Sequence, residues 1–425
     1  MKYYKGIPIT LFYVMVYTIA PVLISILKLQ PQYSIIIQIP VLLMLFTYII
    51  FNKRQHKNMY TSSAMNSLYY IYMILCFIMF LRGYDISERG VNLNLNGKLY
   101  LIFGNGLYIL WTLIPLVALN TYPYFHLKQF CRFGVYICTI CTLITLFNLP
   151  SLIISSHIMS IGFEGSASGA YARTTELFAP VLLLLAYLPK KERIIYIICF
   201  LINILVLILL ARRGALLMYV ILIAFSFLLI YKRLSISQKI LAFFIISLIA
   251  LFGVSQIIDS DIFSYLQTRG LEDTRKHVNE ALLDQMSSTE LLFGKGLNGR
   301  YYLPLKSDDF YDGWRYSCET GFLDIVLKGG FVMAIIYIIL LVIPSMQGIF
   351  NSNNTFCKAG GLYILWSIIY LYPFGVLDFN ISFFFIWMWV ILCSMPNIRK
   401  MTDAEIQELF FYNNTLLPVE TKHNY

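Results

Sequence analysis

The chain has 425 residues, of which 59% are hydrophobic and only 13% charged, and its mean hydropathy is +0.71. This composition excludes a soluble globular protein of the same length and indicates a membrane protein. The formal net charge of +10 would suit a nucleic-acid-binding protein, but in so apolar a chain we attribute it to basic loops that remain in the cytoplasm. We therefore expect membrane lipids, and no nucleic acid, among its partners.

The hydrophobic pattern predicts an all-α fold, a polytopic transmembrane helix bundle of about twelve spans, because each apolar stretch approaches the ~20 residues that cross a bilayer. The first stretch is too long for the core of a signal peptide and more spans follow it, so we expect it to remain as a membrane helix. The predicted spans are 7–27, 33–51, 64–82, 99–119, 130–149, 171–189, 193–211, 214–231, 239–258, 319–343, 357–374 and 378–395.

Basic residues between the spans predict the orientation of the chain. Loops rich in lysine and arginine stay in the cytoplasm, and alternation with both termini in the cytoplasm brings the basic clusters to that side. These clusters are Lys53–Lys57, Lys128 with Arg132, Lys190–Arg193, Lys232–Lys239, Lys358, and Arg399 with Lys400. The outer connections before residue 259 carry only scattered basic residues, chiefly Lys28, Arg82, Arg89, Lys98 and the Arg212–Arg213 doublet.

The same pattern divides the chain into four parts. Residues 1–258 contain transmembrane helices 1–9, and residues 259–318 form one long extracytoplasmic (periplasmic) loop that carries short helices. Residues 319–395 contain transmembrane helices 10–12, and residues 396–425 form a cytoplasmic tail.

The long loop contains a predicted helix near Glu272–Met286, followed by a turn-rich stretch, Phe293–Arg300. Four apolar residues share one face of this helix at helical spacing: Val278, Ala281, Leu282 and Met286. His277 lies on its polar face and is expected to be solvated. A connection of this length usually acts as a lid or a binding element.

The eight cysteines give no disulfide framework, because most lie in apolar stretches. Cys138 and Cys141 share a predicted helix face but lack His or acidic partners, so we interpret them as core residues and not as metal ligands. The acidic segments Asp259–Asp261 and Asp308–Asp309 resemble metal sites of sugar-nucleotide enzymes, but such short pairs are common by chance. We predict neither a metal nor a cofactor.

Three arginines are predicted to lie on the outer side of adjacent spans. Arg212 and Arg213 occupy the tight turn between the seventh and eighth spans, and Arg173 begins the sixth. Guanidinium groups bind phosphate oxygens through paired hydrogen bonds, so the three together favour a shared diphosphate ligand. The alternative is that each reaches lipid phosphates separately. Glu176 is either an intrahelical partner of Arg173 or the group that orients it toward the ligand.

Acidic residues at the outer end of the tenth span are the other candidate site residues. Glu319 is either a catalytic or binding group or an ion-pair partner of Arg315, because an acid near membrane depth is costly unless it is used. Asp324 is predicted to form a helical ion pair with Lys328. We expect Arg300, Arg315 and Asp324 to support the site.

Four motifs follow one another between residues 160 and 345. They are Tyr171–Pro180, an arginine-led span with a proline; Leu209–Leu216, an apolar turn with Arg-Gly-Ala; Leu292–Gly296, a Phe-Gly-x-Gly loop; and Cys318–Leu323, a return into the membrane followed by Gly329–Gly330. Together they resemble the O-antigen polymerase and O-antigen ligase superfamily of bacterial inner-membrane proteins. The ligase pattern has a His–Asn pair at the return, where this chain has Glu319 and Thr320, so the resemblance favours polymerase.

The resemblance implies a metal-independent glycosyltransferase that joins undecaprenyl-diphosphate-linked oligosaccharide repeat units, of O-antigen or capsule type, on the outer face of the cytoplasmic membrane. Arg173, Arg212 and Arg213 would neutralise the leaving lipid diphosphate, and Glu319 would deprotonate the acceptor hydroxyl. A chain-length regulator and a flippase are implied partners. The alternatives are an O-antigen-ligase-type glycan transferase and a multi-pass transporter or flippase of lipid-linked sugars. One-sided charges and a single long outer loop count against a transporter.

Overall fold

The computed structural model describes residues 9–26, 31–51, 63–82, several residues within 131–146, 179–209, 213–231, 236, 274–303, 313–318, 320–373 and 379–408. Of the described residues 84% are helical, which confirms the all-α class. The helices are α1 (Ile9–Ile26), α2 (Ile35–Phe51), α3 (Ser63–Arg82), α4 (Pro180–Leu183), α5 (Lys190–Leu209), α6 (Arg213–Tyr231), α7 (Thr274–Asp284), α8 (Ser288–Phe293), α9 (Gly321–Phe350), α10 (Thr355–Tyr370), α11 (Ile381–Ser394), α12 (Pro396–Lys400) and α13 (Asp403–Gln407). Two 3₁₀ turns, Pro31–Ser34 and Leu185–Tyr187, and an antiparallel pair of two-residue strands, β1 (Tyr301–Tyr302) and β2 (Trp314–Arg315), are also present.

The long helices lie within or close to the predicted spans. Among the described residues, α9 alone is long and apolar enough to cross a membrane, judged by length and composition. Five shorter apolar helical stretches accompany it, in α1, α2, α3, α6 and α11. The predicted spans 99–119 and 239–258 lie outside the described residues. Twelve spans therefore remain a prediction.

The predicted span 171–189 is described from Ala179 onward, and this part is not one continuous helix. Helix α4 ends at Leu183 and passes into a 3₁₀ turn, and Leu188 is extended, with φ −86° and ψ 146°. Pro189 explains the break, because the residue before a proline is disfavoured in the helical region.

Helix α9 starts close to the predicted tenth span but is longer at its C-terminal end, reaching Phe350 where residue 343 was predicted. It consists of two helical pieces joined at Gly330, whose φ of 77° and ψ of 176° are not helical. Only glycine adopts this backbone conformation readily. The Gly329–Gly330 pair thus marks a kink within the helix.

The best-packed part of the described bundle is formed by α9, α10 and α11, with α3 against α9 and α6 against α10. Trp366, Trp387 and Trp389 are fully buried there. A Cβ atom added to Gly360 of α10 would overlap the ring of Trp389. Small residues let helices approach closely inside such a bundle, so Gly360 makes room for Trp389, one of the two tryptophans of α11.

Hydrogen bonds between distant segments mark one end of the bundle, which we call the loop end. The amide of Leu297 donates to the carbonyl of Met79 over 3.2 Å, and the amide of Phe322 donates to the carbonyl of Leu371 over 3.3 Å. The C-terminal end of α3, the segment after α8, the start of α9 and the end of α10 therefore meet here.

The opposite end, which we call the tail end, holds the described part of the predicted tail. Asp403 accepts hydrogen bonds from the amide of Thr355 (2.6 Å), from its hydroxyl (2.8 Å) and from the hydroxyl of Tyr187 (2.9 Å). The Nδ2 atom of Asn354 donates to the carbonyls of Ile398 (2.8 Å) and Met401 (3.0 Å). Residues 396–408 are consequently folded against the start of α10.

Candidate functional site at the loop end

The Phe-Gly-x-Gly loop lies on the kink of α9. The amide of Lys295 donates to the carbonyl of Leu327 over 2.8 Å, and the amide of Gly296 donates to the carbonyl of Lys328 over 3.0 Å. In a regular helix these carbonyls would accept from amides one turn further on. The non-helical conformation at Gly330 instead makes them available to the loop.

Two glycines with positive φ allow this contact. Gly294 has φ 70° and Gly330 has φ 77°. A Cβ atom at Gly294 would overlap the carbonyl of Lys328, and one at Gly330 would overlap the carbonyl of Leu292. Two motifs that were recognised separately in the sequence therefore form one interface.

Arg82, at the C-terminal end of α3, holds the same loop from the other side. Its Nη1 donates to the carbonyl of Phe293 over 2.9 Å, and its Nη2 donates to the carbonyl of Gly294 over 3.0 Å. These carbonyls belong to the C-terminal end of α8, where a positive charge is favourable. In the sequence Arg82 was only one of several scattered outer basic residues.

Lys328 and Asp324 lie inside α9, and both reach the described part of the predicted outer loop, residues 274–303 and 313–318, which we call the outer segment. The buried Nζ of Lys328 donates to the carbonyls of Gly299 (3.0 Å) and Tyr316. The buried carboxylate of Asp324 accepts from the amide of Cys318 over 3.1 Å. The ion pair between Asp324 and Lys328 remains a prediction. Through these hydrogen bonds, both side chains attach the outer segment to α9.

Helix α7 packs over this region with the face that the sequence predicted. Val278, Leu282 and Met286 are buried, and His277 is exposed as expected. Asn279, on the same helix, accepts hydrogen bonds from the Sγ atom of Cys318 (3.5 Å) and the hydroxyl of Thr320 (3.4 Å). The second helix of this segment, α8, was not predicted, since the turn-rich stretch expected from the sequence begins only at its last residue, Phe293.

The short strands bring Arg300 and Arg315 into the same region. Arg315 pairs with Tyr301 across the strands, and the Arg300 guanidinium lies 4.5 Å from the ring centroid of Trp314. Burial raises the pKa of Tyr301, with Asp324 adding to the rise and Arg315 opposing it. Three predicted supporting residues, Arg300, Arg315 and Asp324, thus lie near one hairpin.

The residues predicted to do the chemistry are only partly placed. Arg213 is the first residue of α6. Arg173, Glu176, Arg212 and Glu319 lie outside the described residues. The shared diphosphate site and the role of Glu319 remain predictions.

The described residues include seven buried cysteines that are not in disulfides, Cys138 among them. They include no group of three or more His, Cys, Asp or Glu side chains that could hold a metal ion. No protein-family model, curated protein or solved structure matches the chain. The family resemblance therefore rests on the four sequence motifs.

Proposed function

We propose that the chain is a polysaccharide polymerase of the cytoplasmic membrane. It joins oligosaccharide repeat units carried on undecaprenyl diphosphate, on the outer face of that membrane and without a metal ion. The proposal includes twelve spans, with the loop end outside and the tail end in the cytoplasm.

Apolar side chains on the outer surface of the helices support a membrane location. On α9, five exposed residues follow one another at three- or four-residue intervals: Ile335, Ile339, Ile343, Met346 and Phe350. On α3, a second stripe runs through Ile71, Ile74, Ile78 and Leu81. Exposed apolar surfaces of this extent are unusual in soluble monomers and are typical of proteins that contact lipid.

The long-range contacts support the proposed sidedness. Arg82, Gly294 and Leu371 all meet at the loop end, and alternation of spans assigns each of them to the outer side. Arg132 and Glu192 form an ion pair of 2.7 Å, and alternation assigns both to the cytoplasmic side. It assigns Tyr187, Thr355 and Asp403, which meet at the tail end, to the same side.

The observation that carries the proposal is the fastening of the outer segment to the bundle at the kink of α9. A polymerase must hold two lipid-linked glycans at the membrane surface with their reacting atoms aligned, since orientation supplies much of the rate enhancement in a two-substrate reaction. A segment fixed through Gly294, Lys328 and Arg82 gives such glycans a rigid wall. A passive connecting loop would need no such attachment.

In the proposed reaction, a hydroxyl oxygen of the new repeat unit attacks the anomeric carbon of the growing glycan. The bond from that carbon to the lipid diphosphate breaks, and the diphosphate leaves with the electron pair. Arg173, Arg212 and Arg213 stabilise its negative charge. The carboxylate of Glu319 takes the proton from the attacking hydroxyl.

The test deletes the gene and separates the cell's surface polysaccharide on a gel. Loss of the ladder, with single repeats remaining, supports a polymerase. Loss of all transferred glycan indicates a ligase or a flippase, and an unchanged ladder contradicts the proposal.

Complementation then tests the arginines. Arg173→Lys keeps the charge but loses the paired hydrogen bonds, and we expect a rate about a hundredfold lower, equivalent to ~2.7 kcal/mol. Arg54→Lys, on the proposed cytoplasmic side, is the matched control and should restore the full ladder.

A further inference from the structure

Tyr302 and Trp314 form an aromatic pair on the outward side of the hairpin. The two residues are register partners, and their rings meet edge to face with centroids 5.4 Å apart. Successive residues of a strand point to opposite faces. Accordingly Tyr301 is fully buried, whereas Tyr302 is 46% exposed.

The pair is mounted rigidly. Gln285 makes two hydrogen bonds with the backbone of Tyr302, donating to its carbonyl (2.8 Å) and accepting from its amide (2.7 Å). The Nζ atom of Lys295 joins the carbonyls of Gln285 (2.9 Å) and Arg300 (3.3 Å). Tyr302 is thus held by the residue that follows α7, and this residue is held in turn by the loop that lies on the kink of α9.

A cation lies against this aromatic surface. The Arg300 guanidinium lies over Trp314 at 4.5 Å, a distance at which the ring quadrupole attracts the charge. Aromatic faces beside hydrogen-bond donors suit a ligand that is apolar on its faces and polar at its edge. A pyranose sugar has this character, because its axial C–H groups form apolar faces and its hydroxyl groups lie around the ring.

We propose that Tyr302, Trp314 and Arg300 form a binding subsite for a sugar ring of the glycan repeat unit. The surroundings favour a glycan over lipid, because α7 contacts β1 and its side chains His277, Glu280 and Asp284 are exposed. Acyl chains would leave these groups without water. The identity of the glycan rests on the proposed function.

The test measures the binding of a soluble glycan to the purified full-length protein in detergent, by saturation-transfer NMR. The probe is the oligosaccharide repeat unit released by mild acid from the host's lipid-linked precursor. It lacks lipid and diphosphate, so the arginines proposed to hold the diphosphate do not contribute to the measured Kd.

We expect Trp314→Ala to weaken binding about tenfold or more, and Trp314→Phe, which retains a ring, to remain within about threefold of the wild type. Tyr70→Ala, which removes an exposed ring from α3, is the matched control and should leave Kd unchanged. An unchanged Kd for a folded Trp314→Ala protein, or no binding by the wild type, overturns the proposal. If Trp314→Ala fails to fold, an unchanged Kd for Tyr302→Ala overturns it equally.

A membrane-interface role predicts a different result. The protein is placed in nanodiscs whose acyl chains are brominated, and the fluorescence of Trp314 is obtained as the difference between wild type and Trp314→Phe. Quenching of this fluorescence by bromine would place the indole in the bilayer and overturn the proposal. Glycan binding requires no turnover, so it is separable from the proposed function. A normal polysaccharide ladder after gene deletion would contradict the polymerase and leave the subsite standing. Loss of the ladder without glycan binding by the purified protein would support the polymerase and overturn the subsite.

Discussion

The two ends of the bundle each hold a segment that lies outside the long helices, and they do so with different chemistry. At the tail end, Asp403 and Asn354 bind backbone groups near the start of α10 and along the tail, as capping side chains commonly do. At the loop end, backbone binds backbone at a kink, and buried Lys328 reaches two carbonyls. The first arrangement tolerates small changes in position, whereas the second requires two glycines and one buried cation.

This difference has a functional consequence if the loop end faces the substrates. A helix that loses its cap frays only in its terminal turn, so the tail end can open locally. The loop end joins α3, α8, the hairpin and α9, so a change at any one of them displaces the others. We expect variants at the loop end to impair both stability and polysaccharide length, and variants at the tail end to release only the tail.

The largest effect is expected from Gly330→Ala. The substitution forces a Cβ atom into a positive-φ position and against the carbonyl of Leu292, and we expect a loss of more than ~2 kcal/mol. Thermal unfolding in detergent measures it, and trypsin cleavage after Lys295 reports release of the loop. Ile335→Ala, on the exposed face of the same helix, is the control. Equal trypsin resistance of Gly330→Ala and wild type would show that the kink does not hold the loop.

Lys328→Met should have a smaller but still large effect at the same end. It leaves the carbonyls of Gly299 and Tyr316 without their donor, which costs about 1–3 kcal/mol even after the relief of removing a buried charge. The same melting and trypsin measurements apply. The control is Lys358→Met, near the tail end, which should leave Lys295 protected from trypsin. Cleavage after Lys295 in both variants would show that Lys328 has no specific role in holding the loop.

Asp403→Ala is expected to cost about 1–2 kcal/mol, because a capping carboxylate and its three hydrogen bonds are lost. The tail should become accessible, so trypsin cleaves after Arg399 or Lys400 while Lys295 stays protected. Glu408→Ala, an exposed acid of the same segment, is the control. Loss of protection at Lys295 in Asp403→Ala would show that the two ends are coupled and would contradict the contrast between them.

The sequence was sufficient for features that depend on local pattern. Apolar runs gave the approximate positions of α1, α2 and α3, and spacing gave the buried face of α7. Glycines at Gly294 and Gly330 were recognised as motifs. Each signal is contained within a few turns of chain, which is the range over which periodicity is informative.

The assembly of the loop end could not be predicted in the same way. The contact between Arg82 and Phe293 joins residues 211 positions apart, and a backbone acceptor carries no side-chain signature. The strand pair is two residues long on each side, too short for an alternating pattern to register. The proposed catalytic residues Glu319 and Arg173 lie outside the described residues, so their roles rest on the sequence pattern and the motif resemblance.

The smallest expected effect concerns Glu290, whose charge stabilises the start of α8 at the loop end. Ser287 and Glu290 form a reciprocal cap, in which the amide of Ser287 donates to the Glu290 carboxylate over 2.9 Å. This hydrogen bond lowers the pKa of Glu290 below the ordinary glutamate value. A group with a lowered folded-state pKa stabilises the fold above its unfolded pKa, about 4.3, and that stabilisation is lost as pH falls through the folded pKa.

Glu290→Gln keeps the hydrogen-bonding pattern of the cap but not its charge. Glu290 is partly exposed, and water screens its charge, so we expect the variant to lose less than ~0.5 kcal/mol at neutral pH. Hydrogen exchange at the amide of Leu291, corrected for intrinsic rates, should weaken in the wild type as pH falls below the ordinary glutamate range and stay level in the variant. If exchange in Glu290→Gln follows pH as steeply as in the wild type, another titrating group controls α8.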